Sequence, residues 1–375
     1  MAVDLYSTAL IAIAVVIAGI VCIKAKISSS IFGVGVGLFL VNVLGICAAP
    51  WPGFLGTFGG LVLTFLAGAE VEFTLLGRQA KQSFRIGTMA FVVPLIGVVG
   101  VLSLFTDWSW QTKIAVALAL ATTSVAVVYT VLSKYELIKT PAAKTIIAVM
   151  FVNVILTLIG INFIQTPFDF VTVAFVVTLI ALVPTVPKLL GKVVKNYGKR
   201  AVEIELRFVL AILLGIYFFA GQASLHSVFG AFILGLIIAN CIQGRQEILS
   251  KMRTITFALL APAFFVRAGM LIALPAVIAN IVLVLGLLGT KLASKFVGVY
   301  GLCKRWIPEA PTFSTMLFST GLTVGTITAT LGHQLGYLSD ARFSIVATIV
   351  ILSAVVPILI AKRFTPTKEG GVFVR

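Results

Sequence analysis

A chain of 375 residues, 60% hydrophobic and 11% charged with a mean hydropathy of +1.16, holds too little polar surface to cover a water-soluble globule. Its net charge of +16 is spread over short connections and not gathered into a basic module, which excludes nucleic acid as a partner and leaves anionic lipid as the counter-charge. There is no glycine-rich phosphate loop, so the chain is expected to bind no nucleotide, and any transport is expected to run on an ion gradient or passively.

Helices of roughly 20 apolar residues cross a hydrocarbon layer about 30 Å thick. Such stretches predict an all-α integral membrane protein with about thirteen spans, at 5–23, 31–49, 54–76, 85–105, 113–133, 145–164, 170–190, 207–220, 225–242, 254–273, 276–300, 312–331 and 342–361. The first span starts at Asp4 without a basic stretch ahead of it, so it is expected to be retained and not cleaved as a signal. Lys24 and Lys26 follow it. The third span ends in Glu70 and Glu72, a few residues before Arg78, Lys81 and Arg85. These carboxylates are either an ion-paired helix end or acidic groups of a transport site. The fifth span carries the run Ala121-Thr122-Thr123-Ser124 and leads to Lys134, Lys139 and Lys144.

The sixth span contains Asn153 and Val154, and the seventh leads into the most basic connection, with Lys188, Lys192, Lys195, Lys199, Arg200 and Arg207. Arg245, Lys251 and Arg253 precede the tenth span, which buries Arg267 too deep for water at its basic end, either as a functional charge or as a brace for a helix end. Lys291 and Lys295, one turn apart in the eleventh span, are expected to snorkel to its inner end, before Lys304 and Arg305. The twelfth span holds Ser319-Thr320-Gly321-Leu322-Thr323-Val324-Gly325-Thr326, and Lys362, Arg363, Lys368 and Arg375 lie in the tail. Basic residues thus fall on alternate connections, which predicts a plasma-membrane protein with its N-terminus outside and its C-terminus cytoplasmic. Trp51, Trp108, Trp110 and Trp306 lie beside span ends, at the level where indoles sit among headgroups. Cys22, Cys47, Cys241 and Cys303 have no metal-binding spacing, and His226 and His333 read as surface residues.

An odd number of spans separates residues 1–164 from 207–361, so the two six-helix blocks enter the membrane from opposite faces, as inverted repeats do. Residues 165–206 are then a linker helix and basic loop, and 362–375 a cytoplasmic tail, within a single transporter domain over 1–375. The hydroxyl runs of the fifth and twelfth spans occupy matching positions. Close packing of small residues would produce such a run. So would an interrupted helix whose freed backbone groups the hydroxyls satisfy, and the matching positions favour a pair of crossed broken helices, with Gly321, Gly325 and Thr326 at the second break.

The segments Thr64-Phe-Leu-Ala-Gly-Ala-Glu70, Ala121-Thr-Thr-Ser-Val-Ala-Val-Val128, Gly230-Ala-Phe-Ile-Leu-Gly-Leu236, Phe264-Phe-Val-Arg-Ala-Gly269 and Ser319-Thr-Gly-Leu-Thr-Val-Gly-Thr326 resemble those of the second monovalent cation:proton antiporter family. The resemblance covers nearly the whole chain. It implies the sodium/proton antiporter fold, a homodimer, an elevator-like core domain and exchange of Na+ or K+ for H+ without a bound cofactor. It also implies an acid in the sixth helix, but Val154 stands where that aspartate is expected, beside Asn153. A cation would then have neutral oxygens from Thr122, Thr123, Ser124 and Asn153, opposed by Arg267 unless Glu70 or Glu72 neutralises it. No metal centre is indicated. Three functions fit: an antiporter with altered or impaired proton coupling, a non-exchanging sensor or scaffold subunit, and a passive or anion pathway.

Overall fold

The computed structural model describes residues 9, 12–17, 20, 29–45, 50–69, 73–124, 127–128, 131–132, 135, 137, 140–165, 170–197, 203–222, 227–241, 245–369 and 372–374. The architecture is all-α and membrane-embedded, apart from a short antiparallel pairing of Thr367–Glu369 with Val372–Val374 in the tail. Among the described residues, five helices are long and apolar enough to cross a bilayer: Ala80–Phe105, Pro141–Gly160, Gln246–Met270, Ile281–Trp306 and Asp340–Phe364. Glu70, Glu72 and His226 lie outside the described residues.

The chain divides into two compact units that interleave along the sequence. The smaller comprises 49–73 and 162–264. It contains α2 (Pro50–Ala69), α6 (Phe170–Tyr197), α7 (Ile204–Gln222), α8 (Ser227–Cys241) and α9 (Arg245–Ile255). Gly68 lies against the backbone of Phe232, and Gly235 against the backbone of Phe65, so α2 and α8 touch main chain to main chain. Small residues allow that approach where lipid supplies no hydrophobic drive for helix association. Leu61, Phe65, Leu213, Leu234 and Ile238 fill the layer around the contact. Lys251 gathers three carboxylates at one end of the unit, Glu203 at 2.6 Å, Glu247 at 2.9 Å and Glu205 at 3.5 Å.

The larger unit comprises 1–48, 74–161 and 265–375. Its helices are α1 (Ser29–Asn42), α3 (Phe73–Phe105), α4 (Trp110–Ala121), α5 (Pro141–Gln165), α10 (Ala261–Met270), α11 (Leu274–Ala279), α12 (Ile281–Trp306), α13 (Pro311–Phe318), α14 (Thr323–Gln334) and α15 (Asp340–Ala361). A π-helical turn over Thr256–Leu260, which belongs to the smaller unit as do the first four residues of α10, runs directly into that helix. Glycines set the close approaches here too: Gly37 and Gly269 between α1 and α10, Gly87 between α3 and α5, and Gly97 and Gly298 between α3 and α12.

Two sequence expectations change, and one is met. The basic stretch Arg78 to Arg85, expected as a connection, is helical, because α3 runs 33 residues through it and past Pro94. The breaks expected in the fifth and twelfth spans are present: the fifth stops as a helix at Ala121 and the twelfth after Phe318. The eleventh span ends later than expected, since α12 starts at Ile281 and continues to Trp306, whose ring lies near Arg85 (6.0 Å) and Arg305 (5.5 Å).

The α2–α8 contact gives a direct test. Gly235→Leu drives a side chain into the Phe65 backbone and is expected to destabilise by about 3 kcal/mol or more, seen as loss of monodisperse protein on size exclusion. Gly215→Leu, where nothing lies within 4 Å of an added Cβ, is expected to behave as wild type.

Candidate functional site: the crossing of two broken helices

Ser109 caps the start of α4 by accepting a bond from the Thr112 N–H at 3.3 Å. The helix ends twelve residues later, and Thr122 is extended at φ −63°, ψ 157°. Further along the chain α13 ends at Phe318 and α14 begins at Thr323. A break inside a membrane leaves backbone groups that water cannot satisfy. The two breaks satisfy each other. The Ser124 N–H donates to the Thr320 carbonyl at 3.0 Å, and the Thr123 hydroxyl donates to the Phe318 carbonyl at 2.8 Å. From α15, Ser353 donates to the Gly321 carbonyl at 3.2 Å, while its own carbonyl accepts the Gly321 N–H at 3.4 Å.

Glycine is required at two points. A Cβ on Gly321 would collide with the Lys291 ammonium, and one on Gly325 would press on the Thr122 hydroxyl. Thr122 itself donates back to Ala119 at 2.9 Å. Thr326 sits in the first turn of α14 with its hydroxyl buried and unpartnered.

The charge at this crossing comes from residues that the sequence reading placed elsewhere. Lys291 and Lys295 do not snorkel; both are fully buried. Lys295 Nζ donates to the Ala121 carbonyl at 2.8 Å and to the Thr123 hydroxyl at 3.1 Å, and Lys291 Nζ donates to Ser353 at 2.8 Å. Ala121 is the last residue of α4, so Lys295 places its ammonium at the negative end of a helix dipole. Asn153, on α5, also donates to Ala121, at 3.3 Å, while its own Oδ1 is buried without a hydrogen-bond partner. Val154 is buried beside it.

Thr123, Ser124, Asn153 and the Gly321 break are therefore brought together. Arg267 is half-buried on α10, and Lys291 and Lys295 make hydrogen bonds at the crossing. The lysines had a readable signal. An i,i+4 pair on an apolar helix marks one face, and the depth argument applied to Arg267 applies to them once the helix end is known. Among the described residues no group of three or more His, Cys, Asp or Glu is placed to hold a metal, so the donors at the crossing are hydroxyl, amide and carbonyl oxygens plus two amines.

A family profile described as sodium/hydrogen exchanger, transmembrane, matches residues 6–362. The chain belongs to that family. It is a multi-pass membrane transporter and not an enzyme. A probable Na(+)/H(+) antiporter from Methanocaldococcus jannaschii is 24% identical over 360 residues, which cover 91% of each chain. A Na(+)/H(+) antiporter from Enterococcus hirae is 26% identical over 374 residues, covering 88% of this chain and 91% of the relative. The solved structure of the sodium proton antiporter MjNhaP1 from Methanocaldococcus jannaschii aligns over 96% of both chains with a TM-score of 0.71 and 16% identity, a likeness of fold.

In this exchanger-family chain Thr123 joins both broken helices to a lysine. Thr123→Val leaves the Phe318 carbonyl and one Lys295 N–H unpaired and is expected to destabilise by about 2 kcal/mol, while Thr123→Ser restores most of the loss. Thermal unfolding in detergent reads both.

Proposed function

We propose that the chain exchanges a monovalent cation of the Na+ or K+ class for protons, and that Lys295, with Lys291 beside it, plays the part for which the family uses a sixth-helix acid. The observation that carries this reading is the position of the Lys295 ammonium, on the Ala121 carbonyl and Thr123 hydroxyl and on the same helix end as Asn153. Those are the oxygens that a dehydrated cation needs. Exchange requires the two ions to exclude one another, and here the exclusion is both spatial and electrostatic. A cation about 6 Å from an ammonium feels a repulsion of about 3 kcal/mol at an effective dielectric of 20, or roughly a hundredfold in occupancy.

When Lys295 gives up its proton, the neutral amine no longer repels the cation and yields the oxygens to it; when the cation leaves, a proton returns. Asn153 Oδ1, which has no hydrogen-bond partner, is a further ligand for the cation. Val154 then marks a change of proton carrier and not a loss of one. The relatives, Na(+)/H(+) antiporters and a Na(+)/H(+)-K(+) antiporter from Bacillus cereus, support the ion class. The inverted repeats, elevator-like movement, homodimer and cytoplasmic C-terminus belong to the same proposal, the last resting on the alternation of basic connections.

A second reading has one observation in its favour. Two buried ammonium groups with no carboxylate in contact, among the described residues, also suit an anion.

Purified protein in proteoliposomes with an entrapped pH-sensitive dye tests both. Added Na+ or K+ is expected to move protons outward, with an apparent cation affinity that rises about tenfold per pH unit while proton and cation compete for one position. Lys295→Gln is expected to abolish this pH dependence. Absence of cation-driven proton movement at every pH overturns the proposal, and acid-driven anion uptake that is lost in Lys295→Gln establishes the second reading in its place.

A further inference from the structure

At one end of the larger unit, the ends of α3, α11, α12 and α15 enclose an open groove of about 850 Å³. Val101, Phe105, Val282 and Leu283 form its apolar wall, and Asp107, Trp108 and Arg342 stand at its mouth. Three candidate spans start or stop at this level, Ala80–Phe105, Ile281–Trp306 and Asp340–Phe364. The mouth therefore lies at headgroup depth and the wall descends into hydrocarbon. Leu104 and Val282 are 81% and 83% exposed on the flanking helices, a face that only acyl chains or another apolar surface can cover.

The mouth carries both signs of charge. Arg342 lies over the Trp108 ring at 5.1 Å, and Nη1 makes one long bond to the Thr112 hydroxyl at 3.5 Å. A guanidinium has five N–H donors in a fork that matches phosphate. Asp107 is exposed and offers acceptors only. A glycerol headgroup brings phosphate but no cation for Asp107, a choline headgroup brings a cation without N–H donors, and a serine headgroup brings a carboxylate that Asp107 repels. An ethanolamine headgroup supplies a phosphate for Arg342 and an N–H donor for Asp107.

We propose that this groove is a binding site for one phospholipid with an ethanolamine headgroup, its phosphate on Arg342, its ammonium on Asp107 and an acyl chain along Val101, Phe105 and Gly286. The site is separate from the crossing and does not rest on the exchange reaction.

Thermal unfolding of the delipidated full chain in detergent, with dioleoyl ethanolamine, glycerol or choline phospholipid added back, tests the proposal. The ethanolamine lipid is expected to raise the melting temperature by about 3 °C and the other two by clearly less. Gly286 has open space within 4 Å of an added Cβ, so Gly286→Phe is expected to fill the groove, leave lipid-free stability unchanged and remove the ethanolamine shift. Asp107→Asn is expected to reduce the ethanolamine lipid to the level of the choline lipid. Equal shifts from all three lipids overturn the proposal. So does a lipid-independent dimer that Gly286→Phe dissociates, because a second copy then occupies the groove.

Discussion

The structure depends on how backbone broken inside a membrane is kept satisfied. An unbroken helix pairs its own polar groups; a break at Thr122–Ser124 or Ser319–Leu322 frees several at a depth where water is absent. The two broken segments bond across to each other, and the remaining acceptors take hydrogen bonds from Lys295, Asn153 and Ser353. Local structure and function meet at this point. Under the proposed exchange, the carbonyls that need a donor for stability are also the oxygens offered to the transported ion, so whatever completes the fold competes with the cargo.

The sequence carried the architecture and part of the site. Hydropathy pointed to apolar helices, five of which are long enough to cross a bilayer among the described residues, because it reflects transfer into hydrocarbon, which acts residue by residue. The two hydroxyl runs favoured broken helices over close packing of small residues because they fall in matching places. The breaks themselves fell inside stretches that hydropathy reads as continuous, because a break changes hydrogen bonding and not apolarity.

The lysines were misread for a geometric reason. With α12 expected to end near residue 300, Lys295 lay within reach of the interface. The helix continues to Trp306, eleven residues further along than Lys295, or about 16 Å at 1.5 Å per residue. A lysine stem does not span that distance. The contacts of Lys295 to Ala121 and of Lys291 to Ser353 join positions 174 and 62 residues apart, a pairing that no local pattern announces. Identity of 24 to 26% to curated relatives is enough to carry the fold and leaves room for a chain to replace one chemical group at its centre.

The ammonium resting on the end of α4 has one more consequence, which concerns voltage. Under the proposed exchange, one positive charge on Lys295 is replaced by one positive charge on the cation, so the moving site bears the same net charge in both directions. An electric field across the membrane does work of about 2.3 kcal/mol per elementary charge at ~100 mV, but only on charge that is carried across in net terms. A site of constant valence is blind to it. The direction of transport would then be set by the two concentration ratios alone, and the cell's electrical energy would neither assist nor oppose the cycle.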